Sequence, residues 1–189
     1  MQKTYFYRGL FYLMGLLILA LGITLNTKTG LGVSPIISVS FSISTIWHFN
    51  FGNTTLVLYA LFVVVEMILH TIRSLHARQS EGLPLEHANQ MNLKLVLFMD
   101  ILQFPLSLIF TRLLNIFSGM IPDLWTTYPD SFAGSFPGRI LFLIIAIILT
   151  GVGAAMSLNM RIIPNPGDGI VQAISDFIHK SVGFTKNCF

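Results

Sequence analysis

ILFLIIAIILTGVGAAMSLN, residues Ile140 to Asn159, runs for twenty residues without a charge. At 1.5 Å per residue, a helix of this length covers a hydrocarbon core of ~30 Å. Backbone amides in lipid must be paired, which leaves only helices or closed barrels, and the unbroken apolar run lacks the alternation of a barrel strand. The segment therefore reads as a membrane-spanning helix.

Three further stretches follow the same logic: Gly9 to Asn26, Thr55 to Ile72 and Leu93 to Phe117. The whole chain agrees with them. Of 189 residues, 53% are apolar and 10% charged, and the mean hydropathy is +0.74. Such a chain lacks the polar surface that a soluble globule turns to water. The first apolar run follows Lys3 and Arg8 like a signal peptide, but no small-residue cleavage site succeeds it, so it is expected to be retained. A lone Cys188 excludes a disulfide framework or a cysteine-based metal site, and no metal and no cofactor are expected. The net charge of +3 is scattered at helix ends, which argues against nucleic acid.

The chain also repeats itself. An ungapped shift of 131 lays Arg8 on Arg139, Leu10 on Leu141, Phe11 on Phe142, Gly22 on Gly153 and Pro35 on Pro166. It continues through Ile43 and Ile174, Ser44 and Ser175, His48 and His179, Gly52 and Gly183, and Thr54 and Thr185. Copy one spans residues 8–72 and an incomplete copy two spans 139–189, joined by 73–138 in a single membrane domain of 1–189.

In each copy a polar turn follows the first helix, and Ser34-Pro35 or Asn165-Pro166 then opens a short helix, reaching to Phe49 and to Lys180. Ser and Asn are good N-caps, and proline suits the first helical position. About fourteen residues reach only ~21 Å, so these helices are re-entrant or interfacial. In the second, Ile170, Val171, Ile174, Phe177 and Ile178 form an apolar stripe opposite Gln172, Ser175, Asp176 and His179. In the first, Ser38, Ser40, Ser42 and Ser44 alternate with apolar residues like a strand, but an unpaired strand is not viable in lipid, and a helix is expected.

If neither short helix crosses, Lys3, Arg8, Arg73, Arg78, Lys94 and Arg161 share one side, a positive-inside bias that puts the N-terminus in the cytoplasm. The connection from Arg73 to Lys94 is then cytoplasmic. Ser118 to Gly138, with Trp125 and Tyr128 as interface anchors, is external. Three spans separate the starts of the two copies, so the second enters upside down, the inverted plan of many secondary transporters.

The run Gly30 to Pro35 after an Arg8-led helix, with Asn165-Pro166-Gly167-Asp168-Gly169 after the fourth span, resembles the YczE/YyaS/YitT family of bacterial membrane proteins. That resemblance implies a multi-pass protein of the bacterial plasma membrane, often described as transporter-like, with no defined activity. It also implies a further hydrophobic helix in copy two. The ending at Phe189 leaves copy two incomplete, and an oligomer that covers the exposed face is expected.

Candidate chemistry is sparse. Glu66 stands about six residues before the end of its span and Asp100 about six residues into the next, so across a hairpin both lie ~9 Å below the same boundary. His70 follows Glu66 by four residues and Gln103 follows Asp100 by three, giving each carboxyl a polar neighbour on its own helix. Intramembrane carboxyls are costly and mark cation or proton pathways, or else serve as hydrogen-bonded helix glue. The two helix starts, Ser34-Pro35 and Asn165-Pro166-Gly167-Asp168-Gly169, form a second candidate site. Their alternative role is plain capping, with Asp168 favouring the positive end of the helix dipole. Arg8 and Arg139 read as snorkelling anchors. No HExxH, P-loop, GxSxG or nucleotide fingerprint occurs. A transporter-like protein for a small solute or ion is expected, the alternatives being a non-catalytic membrane partner or assembly factor and, last, an intramembrane enzyme.

Overall fold

The computed structural model describes residues 2–80, 93–160 and 163–188. Arg161, Leu85 and most of the Arg73-to-Lys94 connection lie outside the described residues, as do the side chains of Lys3 and Arg78. The described chain is helical throughout, with no strand among its described residues. In order, the helices are α1 (Gln2–Lys28), α2 (Pro35–Trp47), α3 (Phe51–Ser80), α4 (Leu93–Met120), α5 (Leu124–Thr127), α6 (Phe136–Asn159), α7 (Pro166–Phe177) and α8 (Val182–Cys188). Of these, α1, α3, α4 and α6 are long and apolar enough to cross a membrane. The expected all-α plan of four spanning helices is thus present.

The helices outrun the apolar stretches that announced them. Helix α3 starts at Phe51 and continues past Ile72 through Arg73 and His76 to Ser80, because charged residues end an apolar run without ending a helix. The serine-rich segment is helical as expected. Ser38, Ser40 and Ser44 hydroxyls donate to the carbonyls of Pro35, Ile37 and Phe41, three residues back. Each polar side chain is thereby satisfied by its own helix rather than by a sheet partner.

The chain divides into two compact units: residues 1–56 with 108–162, and residues 57–107 with 163–189. In the first unit, α1 and α6 form the most extensive helix pairing. A Cβ built on Gly15 would lie 2.9 Å from the Ser157 amide nitrogen, and one on Gly22 would lie 2.6 Å from that of Thr150 and 3.0 Å from the Ala146 carbonyl. One on Gly153 would collide with the Leu19 backbone and sit 2.8 Å from the Gly15 carbonyl. Rising numbers on α1 meet falling numbers on α6, so the two helices run antiparallel, as an inverted relation requires.

The seam is also self-complementary. Under the shift of 131, Gly22 maps to Gly153, and the residues it meets, Thr150 and Ala146, are the images of Leu19 and Gly15, which Gly153 meets. The same exchange governs the ends. Arg8 Nη2 donates to the Met160 carbonyl at 2.7 Å, and Arg139 Nη1 donates to the Thr29 carbonyl at 3.4 Å. Arg139 is the image of Arg8, and Met160 that of Thr29. Each arginine therefore neutralises the carbonyl end of the opposite copy's helix. This ties down two residues expected only to snorkel.

Elsewhere the offset recurs in the backbone. Helices α2 and α7 start 131 residues apart, as do α3 and α8, and His48 and His179 both take φ of 53°. A left-handed non-glycine residue is uncommon, and here it turns the chain between a short helix and the next.

Candidate functional site

The second unit holds the carboxyls. Glu66 and His70 lie one turn apart on α3, and Asp100 and Gln103 nearly so on α4. Glu66 and Asp100 are each 3% exposed and Gln103 is 1% exposed. The structure brings all four together, but not in the expected pairs. His70 Nδ1 lies 2.9 Å from Asp100 Oδ2, and Gln103 Nε2 donates to both Glu66 oxygens at 3.1 Å. Each of these two polar side chains thus serves the carboxyl of the facing helix, because i,i+4 and i,i+3 spacing lines residues up on one face and the facing helix then meets that face.

Two features of α4 shape this region. Pro105 lies inside the helix, two residues after Gln103, and lacks the N–H that would have bonded to the carbonyl of Ile101, the residue after Asp100. Ser107 Oγ donates to the Gln103 carbonyl at 2.7 Å. The Gln103 side-chain oxygen is buried and has no hydrogen-bond donor.

Helix α7 completes the site. A Cβ on Gly169 would sit 2.7 and 2.9 Å from the two Glu66 oxygens and 3.1 Å from Gln103 Oε1. Three side-chain oxygens therefore converge on the place a Cβ would take, and a larger residue there would have to push them aside. Pro166 and Gly167 are buried beside it. The two candidate sites expected separately, the carboxyl hairpin and the second helix start, are one place. Nothing in the sequence signals this, since Glu66 and Gly169 are about a hundred residues apart.

Other expectations for α7 need correction. Asn165 occupies the N-cap position without a side-chain cap bond, and its amide donates to the Tyr59 hydroxyl at 3.4 Å. Asp168 does not satisfy the first turn but pairs with Lys186 Nζ at 3.0 Å. The inward face is Gly169, Ile170, Val171, Ala173 and Ser175, whereas Phe177 and Ile178 are exposed. Small residues let backbone and carboxyl approach closely, and bulky apolar side chains lose nothing by facing outward in a chain with lipid as its solvent. Asp176, on the polar side, meets Arg73 at 2.9 Å.

The first helix start has different surroundings. Ser34 also lacks a side-chain cap bond, and Pro35 is exposed where Pro166 is buried. Ser34 lines a cavity of about 480 Å³ with Asn26, Gly32 and Thr150. The Asn26 side-chain oxygen is buried without a donor. Among the described residues, no carboxylate lines that cavity. Trp125 and Tyr128 are exposed, the Trp125 ring lying against Gly30.

Glu66, His70 and Asp100 each offer one ligand atom, and these atoms all lie within 4.8 Å of one another. Cysteine arithmetic is blind to such a donor set, drawn from two helices. The arrangement is that of a multi-helix membrane protein with a buried, carboxylate-centred polar cluster. The chain belongs to a family of unknown function, DUF6198, whose model matches residues 6–80 and 89–189. No curated protein and no solved structure matches it.

Proposed function

We propose that this membrane protein is transporter-like, moving a small solute or ion, and that Glu66, His70, Asp100 and Gln103 form its cation or proton site. The supporting observation is the burial of two carboxyls on facing helices, closed over by a helix start that presents glycine alone. Burying such groups is costly, and a site that binds and releases a cation or proton gives that cost a use. Helix α7, short and proline-started, resembles the broken helices that line transporter sites. The resemblance to the YczE/YyaS/YitT family, a bacterial plasma-membrane location and a cytoplasmic N-terminus belong to the same reading, as does the absence of covalent catalysis.

Proteoliposomes loaded with a pH-sensitive dye test it, under imposed pH, sodium or divalent-cation gradients. Wild-type protein is expected to carry an ion-dependent flux that Glu66→Gln and Asp100→Asn abolish while both variants remain folded. No flux under any gradient, with stable co-purification of one partner, would replace the reading with that of a membrane assembly factor. Reporter fusions near Leu85 and Thr127 should report cytoplasm and exterior respectively.

A further inference from the structure

We propose that Glu66, His70 and Asp100 bind a divalent transition-metal cation, with the Gln103 side-chain oxygen as a fourth ligand. This deepens the transporter reading by naming the ion class, and it rests on that reading for its role.

Geometry comes first. Ligand atoms within 4.8 Å of one another need only small side-chain adjustments to share one ion, since bonds of ~2.0 to 2.2 Å place two ligands of one metal roughly 3 to 4 Å apart. His70 and Asp100 are already at 2.9 Å. Chemistry comes second. Two carboxylates balance a divalent charge, so the loaded site is neutral, the condition under which a buried ion is tolerated. One imidazole among oxygens suits the zinc, manganese and iron(II) group, not copper(I), which seeks sulfur, nor calcium, which takes six to eight oxygens.

An independent observation comes from Gln103. Its Oε1 is buried without a donor, beside both Glu66 oxygens and against Gly169. An acceptor with no donor is unfavourable in a packed interior, and turning it toward the carboxylates would let a cation satisfy it. Gly169 keeps the space by lacking a Cβ. Gln103 Nε2 now donates to Glu66; a half-turn of the amide would present its oxygen to an ion there.

The test uses the full chain in mild detergent, stripped with a chelator and titrated with Zn²⁺ by calorimetry and with Co²⁺ by visible absorption. One equivalent is expected, with affinity reduced more than about tenfold in Glu66→Gln, Asp100→Asn and His70→Gln, and unchanged in Asp123→Asn, an exposed carboxylate of the other unit. Affinity should fall at acid pH, because bound ligands must shed protons. Should those variants fail to fold, pulsed paramagnetic resonance of Mn²⁺-loaded wild-type protein decides: one coupled imidazole nitrogen supports the site. No such coupling, or binding equal in Asp123→Asn and Glu66→Gln, overturns it. Flux that depends on Glu66 and Asp100 without any metal binding sinks the metal and keeps the transporter. Metal binding without flux in any gradient keeps the metal and sinks the transporter.

Discussion

The α1–α6 seam and the α3–α4–α7 cluster use glycine to opposite ends. In the seam, Gly15, Gly22 and Gly153 bring backbone onto backbone, and the contacts of Gly22 and Gly153 are images of each other. At the cluster, Gly169 brings backbone onto carboxyl oxygens, and the corresponding place by Ser34 and Pro35 has no carboxylate among the described residues that line it. The duplicated part is dry packing, while the chemistry sits where the two copies differ. Symmetry builds the scaffold, and its breach makes the candidate site.

That contrast is sharpest for large side chains. Gly153→Leu should be the most damaging change in the seam, because its Cβ alone would strike the Leu19 backbone, which cannot give way. Overpacking of this kind costs about 1 to 3 kcal/mol or more. Gly151→Leu, two residues away with nothing within 4 Å, is the matched control. Monodisperse protein after heating, followed by size-exclusion chromatography, should collapse for the first and persist for the second. Equal tolerance would remove the seam as the scaffold.

The second break targets the cluster. Glu66→Leu and Gln103→Leu should be strongly non-additive, since each removes one half of a buried pair and strands the other. Coupling of roughly 0.5 to 3 kcal/mol in a double-mutant cycle is expected for groups in contact. Thermal or denaturant unfolding in detergent measures it. A coupling near zero would mean that Gln103 does not hold Glu66.

What the sequence disclosed follows from how local each feature is. Spans, proline starts and the 131-residue offset reside in contiguous residues, and the helices begin where those signals stand. The carboxyl pair was legible because an acid inside an apolar run is costly wherever it faces, and hairpin spacing sets both at similar depth. The crosswise partners and the contact of Gly169 with Glu66 were not, since both depend on how distant helices meet. The α7 stripe misled for a different reason: pattern rules assume an apolar interior, and here Phe177 and Ile178 face out while Ser175 is buried.

The arginine ties give a third, smaller contrast. Arg8→Ala and Arg139→Ala each remove a donor from a helix-end carbonyl, one bond exposed and the other long, worth about 0.5 to 1.5 kcal/mol apiece. The Arg8 bond at 2.7 Å should matter more than the Arg139 bond at 3.4 Å. The two ties sit at opposite ends of an antiparallel pair, so their losses should add within about 0.5 kcal/mol, unlike the cluster. Marked coupling between them would show that the seam responds as a single switch.

The smallest expected effect concerns Asp168, whose place beside the cluster invites a functional role. Its partner Lys186 is half exposed, and Asp168 itself is partly covered, with side chains 53% and 20% accessible. An ion pair so open to solvent contributes about 0.2 to 1 kcal/mol, weakened further by salt. Lys186→Ala should therefore shift the melting temperature only slightly and leave any flux intact. The same substitution has a second consequence if Asp168 works with the site. Freed from Lys186, its carboxylate would add negative charge at the start of α7, close to Glu66, and flux or metal affinity would change although stability barely moved. Measured side by side, a small loss in melting temperature with unchanged flux confines Asp168 to tying α7 to α8. A change in flux at constant stability would extend the working cluster from the hairpin into the helix start.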